Sequence, residues 1–227
     1  MGFGAVRAEP RPTLLVGYFG PQSDAAKARE AGADFVLIDG RSGSVDTAKA
    51  RGDAGDLPLG AWTPAQDSAA AKALREGGLD FLVVAEDSPA ASLLDDDLGY
   101  VLALPSQPEE AFLRSLEPLA LEALLLHNIP SPLTVAGELE LSRTGGLARR
   151  PMICETASNA SADDLQCLRA AGVAGVMTDA AGVARLKDAV KALPQRKPRR
   201  EERAVVSLPR GQAAAAEDDD DDDDRLM

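Results

Sequence analysis

One phrase recurs three times in this chain and limits what it can fold into. It reads Ala28-Arg29-Glu30-Ala31-Gly32-Ala33-Asp34-Phe35-Val36-Leu37-Ile38-Asp39, then Leu74-Arg75-Glu76-Gly77-Gly78-Leu79-Asp80-Phe81-Leu82-Val83-Val84, then Leu168-Arg169-Ala170-Ala171-Gly172-Val173-Ala174-Gly175-Val176-Met177-Thr178-Asp179. Each copy joins a helix end to an apolar run through a glycine. Glycine suits that junction because the residue closing a helix often takes a left-handed conformation that side chains resist. The unbroken apolar run is the mark of a parallel strand covered on both faces.

The same template places eight strands, at 13–19, 33–39, 57–62, 79–86, 99–105, 121–127, 151–156 and 173–178. Helical patterns lie between and after them, at 23–31, 68–76, 88–95, 109–116, 134–147, 161–171 and 180–193, several opened by Ser, Thr or Asp as caps. Ser88-Pro89 is a clean helix start, because proline suits the first turn. The unit at 45–53 is the weakest, since Gly52 and Gly55 leave room for few turns. Eight βα units over residues 13–193 predict an α/β fold, a compact (βα)8 TIM-like barrel, with an open eight-stranded sheet as the alternative. Residues 1–12 form an N-terminal extension. From 194 to 227 the chain turns basic (Arg196-Lys197-Pro198-Arg199-Arg200), then acidic (Asp218 to Asp224), and is expected to be a disordered tail.

Composition narrows the function. The formal net charge of −13 repels phosphate backbones, and aromatics at 4% leave little for base stacking, so nucleic-acid binding is not expected. No stretch reaches the roughly 18 consecutive apolar residues of a membrane span. Cys154 and Cys167 form no spaced framework, which fits reduced thiols in a cytoplasmic protein.

Barrel enzymes carry their chemistry at the C-terminal ends of the strands. Read there, the chain offers Tyr18 and Phe19, Asp39 and Arg41, Trp62 and Thr63, Glu86 and Asp87, Ser106, His127 and Asn128, Glu155 and Thr156, and Thr178 and Asp179. All six lysines fall in helices or the tail, which disfavours Schiff-base chemistry, and the single histidine excludes a metal site built from several imidazoles. Glu155 and Asp179 end neighbouring strands, about 4.8 Å apart, and form a candidate metal pair for Mg²⁺ or Mn²⁺. Asp39 occupies the position equivalent to Asp179, seven residues after its glycine. His127 is the candidate acid/base, Arg41 the candidate clamp for a substrate carboxylate, and Asp39 the third candidate catalytic residue. Each has a structural alternative: Asp179 as a helix cap, Asp39-Gly40 as a turn, His127-Asn128 as a strand end bonded to loop backbone, Arg41 as a surface residue.

The segment from Ser158 to Leu193, with Ser-Ala-Asp-Asp-Leu leading to Leu-Arg-Ala-Ala-Gly-Val-Ala-Gly-Val-Met-Thr-Asp, resembles the last two βα units of the phosphate-binding barrels, indole-glycerol-phosphate synthase among them. That resemblance implies loops whose backbone N–H groups hold phosphate. Here the loops read Glu155-Thr156-Ala157-Ser158 and Thr178-Asp179-Ala180, with carboxylates where phosphate would lie. Phe35-Val36-Leu37-Ile38-Asp39-Gly40 and Ile153-Cys154-Glu155-Thr156 give a second resemblance, to metal-dependent 2-keto-3-deoxy acid aldolases. It implies a divalent metal on a Glu and an Asp, and a histidine soon after the Asp-Gly pair, where this chain has Arg41-Ser42.

Two functions follow. One is a carboxylate-lined, divalent-metal-dependent lyase or isomerase of a small oxo-acid, its partner a small anionic molecule. The other is a noncatalytic structural or regulatory barrel that docks on a protein through residues 195–227. Oligomeric state is not readable from the sequence.

Overall fold

The computed structural model describes residues 14–64 and 66–194. Eight parallel strands pair in chain order and close β8 onto β1, so the expected barrel is the observed one. The elements are β1 Leu15–Gly20, α1 Ala25–Glu30, β2 Phe35–Asp39, α2 Thr47–Ala54, β3 Leu59–Trp62, α3 Ser68–Glu76, β4 Phe81–Val84, β5 Gly99–Ala103, α4 Glu110–Ser115, β6 Ala123–Leu126, α5 Val135–Ala148, β7 Met152–Glu155, α6 Ala162–Ala170, β8 Val173–Thr178 and α7 Ala180–Ala192. The N-terminal extension and the tail of the sequence reading lie outside the described residues. No helix among the described residues is long and apolar enough to cross a membrane.

The recurring phrase works as read. Gly32, Gly78 and Gly172 all have positive φ, at 87°, 102° and 92°. The aspartate of its first two copies has a further task at the N-terminal face: Asp34 accepts from Val16 N at 2.7 Å and Asp80 from Leu59 N at 2.7 Å, each tying its strand to the one before. Lys187 and Arg51 pair with these carboxylates.

One expected helix is absent. Residues 88–95 hold only a 3-10 turn, Ala90–Leu94, because Pro89 stays extended at ψ 130° and the Ser88 hydroxyl accepts the Ala85 N–H at 3.0 Å. The helix at 45–53 forms after all as α2, capped by Asp46, whose side chain accepts from Lys49 N.

Alternate residues of each strand face inward. Leu37, Val83, Leu125 and Met177, one from each even-numbered strand, make a buried layer of four. Below it Phe35 and Phe81 fill the interior against glycines. A Cβ on Gly17 would lie 2.1 Å from the Phe35 ring, and one on Gly60 the same distance from Phe81. Outside the strands, Ala25, Ala28, Ala50, Ala54 and Ala71 are fully buried and let the helices sit close, which is how a chain with few aromatics fills a barrel.

Replacing Gly60 by alanine forces the Phe81 ring to move and should cost about 1–3 kcal/mol in denaturant unfolding. In the double variant with Phe81→Leu the two losses should fall short of additive; additive losses would show that the ring and the glycine are not coupled.

Candidate active site at the barrel mouth

The inward positions at the ends of the strands carry Phe19, Asp39, Trp62, His127 and Glu155. Their placement follows from register. Asp39 pairs with Trp62 across β2 and β3. Leu126 pairs with Cys154 across β6 and β7, which brings the next residues, His127 and Glu155, side by side.

These side chains form a continuous bridge over the mouth. Arg41 donates to Asp39 through Nε at 2.8 Å and Nη2 at 2.7 Å. Its guanidinium lies 4.2 Å from the Trp62 ring centre and 5.5 Å from that of Phe19. Trp62 also stacks on His127, with ring centroids 4.5 Å apart and planes 23° from parallel. His127 Nδ1 then meets Glu155 Oε2 at 2.9 Å. Since an ionised carboxylate only accepts, Nδ1 carries the proton, and in neutral His127 the lone pair sits on Nε2. That Nε2 is buried and has no hydrogen-bond partner among the described residues. Asn128, the next residue, has φ 54° and turns the chain out of the barrel.

Electrostatics follow the bridge. The bidentate bond from Arg41 holds the Asp39 carboxyl below its usual range against the opposing effect of burial, and the same bond raises Arg41. Tyr18 is pushed up, first by burial and then by Asp24, Asp179 and Asp39, so it stays a neutral phenol, donating to Pro21 O at 2.6 Å. Burial raises the Cys154 thiol to about 12, which removes it as a nucleophile; both cysteines are free.

The structure joins four of the five expected site residues in the bridge and engages the fifth, Asp179, as a helix cap. Asp39, Arg41, His127 and Glu155 belong to the bridge. Glu155 lies opposite Met177, after a register irregularity at Met152/Ile153, while Asp179 is two residues further along the chain. There it caps α7, accepting from Gly182 N at 2.8 Å. An amide that a phosphate-binding loop would offer to its ligand is taken by this carboxylate. Glu155 and Asp179 each have one oxygen committed, and no group of three or more His, Cys, Asp or Glu suited to a metal ion occurs among the described residues. The Arg41 clamp is likewise engaged, its fork filled by Asp39. The pairing of His127 with Glu155 was missed in the sequence; the available signal was that both directly follow apolar runs of adjacent strands.

Beside the bridge, on the β4–β5 side, an open cleft of about 600 Å³ is lined by Trp62, Ala85, Glu86, Asp87, Ala103 and His127, among others. It exists because Ala85 and Ala103 stand where bulkier inward residues would close the mouth.

No protein family description matches the chain, and no curated protein matches it. Solved structures do. KGPDC from Streptococcus mutans superposes with TM-score 0.63 at 13% identity, covering 78% of this chain and 97% of that one. A mutant tryptophan synthase alpha-subunit from the hyperthermophile Pyrococcus furiosus gives 0.57 at 11%, covering 80% and 96%. The HpcH/HpaI aldolase from Desulfitobacterium hafniense gives 0.55 at 12%, covering 82% and 95%. At these identities the likeness is one of fold. The chain is a TIM-barrel protein, and what it shares with these structures is that fold.

Asp39 is depressed in the folded state, so the Asp39–Arg41 fork adds stability above the ordinary carboxylate pKa of about 3.9 and loses it as pH falls through the lower folded value. Carbon-13 titration of the Asp39 carboxyl should show that value rise toward the ordinary one in Arg41→Ala; no change would mean that the fork is not formed in solution.

Proposed function

We propose that this barrel is a lyase or isomerase that moves a proton on a small oxo-compound, with His127 as the acid/base and Glu155 holding it. The observation that carries the reading is the unpartnered, buried Nε2 of an imidazole whose Nδ1 is fixed by a carboxylate. A buried acceptor without a donor is costly, and once the ring shifts to open Nε2 to the cleft that His127 lines, its free lone pair is the base that a substrate C–H requires.

In this reading His127 Nε2 takes a proton from the carbon next to the carbonyl. The C–H electron pair moves into the new C=C bond and the carbonyl electrons onto oxygen, giving an enolate. The imidazolium so formed is stabilised by Glu155 and by the Trp62 face. Returning the proton to a neighbouring atom completes an isomerisation. In a lyase, His127 Nε2 takes the proton of a hydroxyl two carbons from the carbonyl; the oxygen pair forms a new C=O as the C–C bond breaks, that bond's electrons give the enolate, and the imidazolium returns the proton to it. Arg41 is the cation of the cluster; its side-chain bonds to Asp39 use the Nε–H and one Nη2–H and leave Nη1 and the second Nη2–H, so Asp39 acts as a positioning residue.

Charge bears on the substrate. Among the described residues the rim holds Asp39, Glu86, Asp87, Glu155 and Asp179 against Arg41, which disfavours a phosphorylated substrate. A carboxylate would compete with Asp39 for Arg41. A small mono-anionic oxo-acid or an uncharged oxo-compound suits this rim best. Mg²⁺ or Mn²⁺ would find the second oxygens of Glu155 and Asp179, a thin donor set.

In D₂O, exchange of the protons next to the carbonyl of 2-oxobutanoate, followed by NMR, should be accelerated by the wild type. His127→Ala should lower the rate about 10²–10⁴-fold, and Glu155→Gln by a smaller factor. Wild-type exchange no faster than buffer would sink the assignment. Calorimetric titration with Mg²⁺ and with Mn²⁺ should show no tight site; a tight site lost in Glu155→Ala would restore the metal-dependent reading.

A further inference from the structure

The cleft is not the only space that His127 faces. A second, smaller cavity of about 120 Å³ lies between the loop after β5, the loop after β6 and α5, lined by Leu104, Pro105, Leu126, His127, Ile129 and Leu141 among others. Leu104, Pro105 and His127 line both cavities, so the imidazole stands at their junction. The two differ in chemistry. The cleft has Glu86 and Asp87 at its edge, whereas the smaller cavity is walled mainly by aliphatic and proline side chains, and the Glu140 carboxylate beside it is bonded to Arg143.

We infer that the smaller cavity is a side chamber that receives the aliphatic substituent of a substrate whose oxo group lies at His127. The inference rests on the proton-transfer reading for the location of the reacting group, and adds to it the substrate class: an oxo-compound with a short alkyl side chain. Size sets the length. An apolar cavity of about 150 Å³ accepts benzene, so this chamber holds a group somewhat smaller, on the order of four carbons. The wall shared with the cleft at Leu104, Pro105 and His127 selects this occupant over a separate ligand, because a group in the chamber stays within one residue of the reacting atoms.

The test is a chain-length series of straight 2-oxo acids, from pyruvate to 2-oxooctanoate, titrated calorimetrically against wild type, Gly137→Leu and Ile129→Phe. Gly137 lines the chamber from α5, and a Cβ there meets only the mobile end of Leu133, at 3.0 Å, and two more distant atoms. The leucine therefore fills the chamber without breaking the helix. Ile129 is a half-buried loop residue, which gives a second variant if the first fails to fold.

In the wild type affinity should rise about fourfold per methylene, the equivalent of ~0.8 kcal/mol per buried CH₂, as far as 2-oxohexanoate, and fall by 2-oxooctanoate. Both variants should flatten the rise and leave pyruvate binding unchanged. A flat series in wild type, or a rise that survives both substitutions, overturns the chamber. A rising series with no His127-dependent proton exchange keeps the chamber and removes the proton-transfer reading; exchange with a flat series does the reverse.

Discussion

Closure of β8 onto β1 is the constraint on which the rest of this molecule depends. A closed eight-stranded sheet has a fixed bore that side chains must fill without gaps. Here the lower bore is filled by Phe35 and Phe81 set against Gly17 and Gly60, and the next layer by Leu37, Val83, Leu125 and Met177. With the interior settled in this way, the mouth is free to carry polar groups. The small residues Ala85 and Ala103 leave one side open, and the stacked Trp62 and His127 rings border that opening.

The mouth is organised as a relay of contacts. A carboxylate holds a guanidinium, the guanidinium covers an indole, the indole covers an imidazole, and the imidazole is held by a second carboxylate. Each member restricts the next, so His127 is oriented from two directions at once: in its plane by Glu155 and on its face by Trp62. That is the supporting arrangement a proton-transfer group needs, because misplacement by about 1 Å costs orders of magnitude in rate.

Much of the fold was legible because the helix–glycine–strand phrase repeats and the apolar runs it introduces leave few other options. The 3-10 turn at Ala90–Leu94 was not, since Ser88-Pro89 has the composition of a helix start and only the extended backbone at Pro89 overrides it. At the site, residue type and strand position identified His127, Glu155, Asp39 and Arg41 as mouth residues. Their partners were harder to read. The offset between Glu155 and Asp179 depends on the register of β7 on β8, which the irregularity at Met152/Ile153 shifts by one residue, and the His127–Glu155 pair depends on the register of β6 on β7. A periodic pattern reports which way a side chain faces but not how far one strand has slid along its neighbour.

The stack of Trp62 on His127 has a practical side. The chain has one tryptophan and one histidine, and they are in ring contact. A protonated imidazole quenches indole emission far more than a neutral one does. The intrinsic fluorescence of this protein is therefore a built-in optical gauge of the charge on a single side chain, readable in the unmodified molecule while ligands come and go.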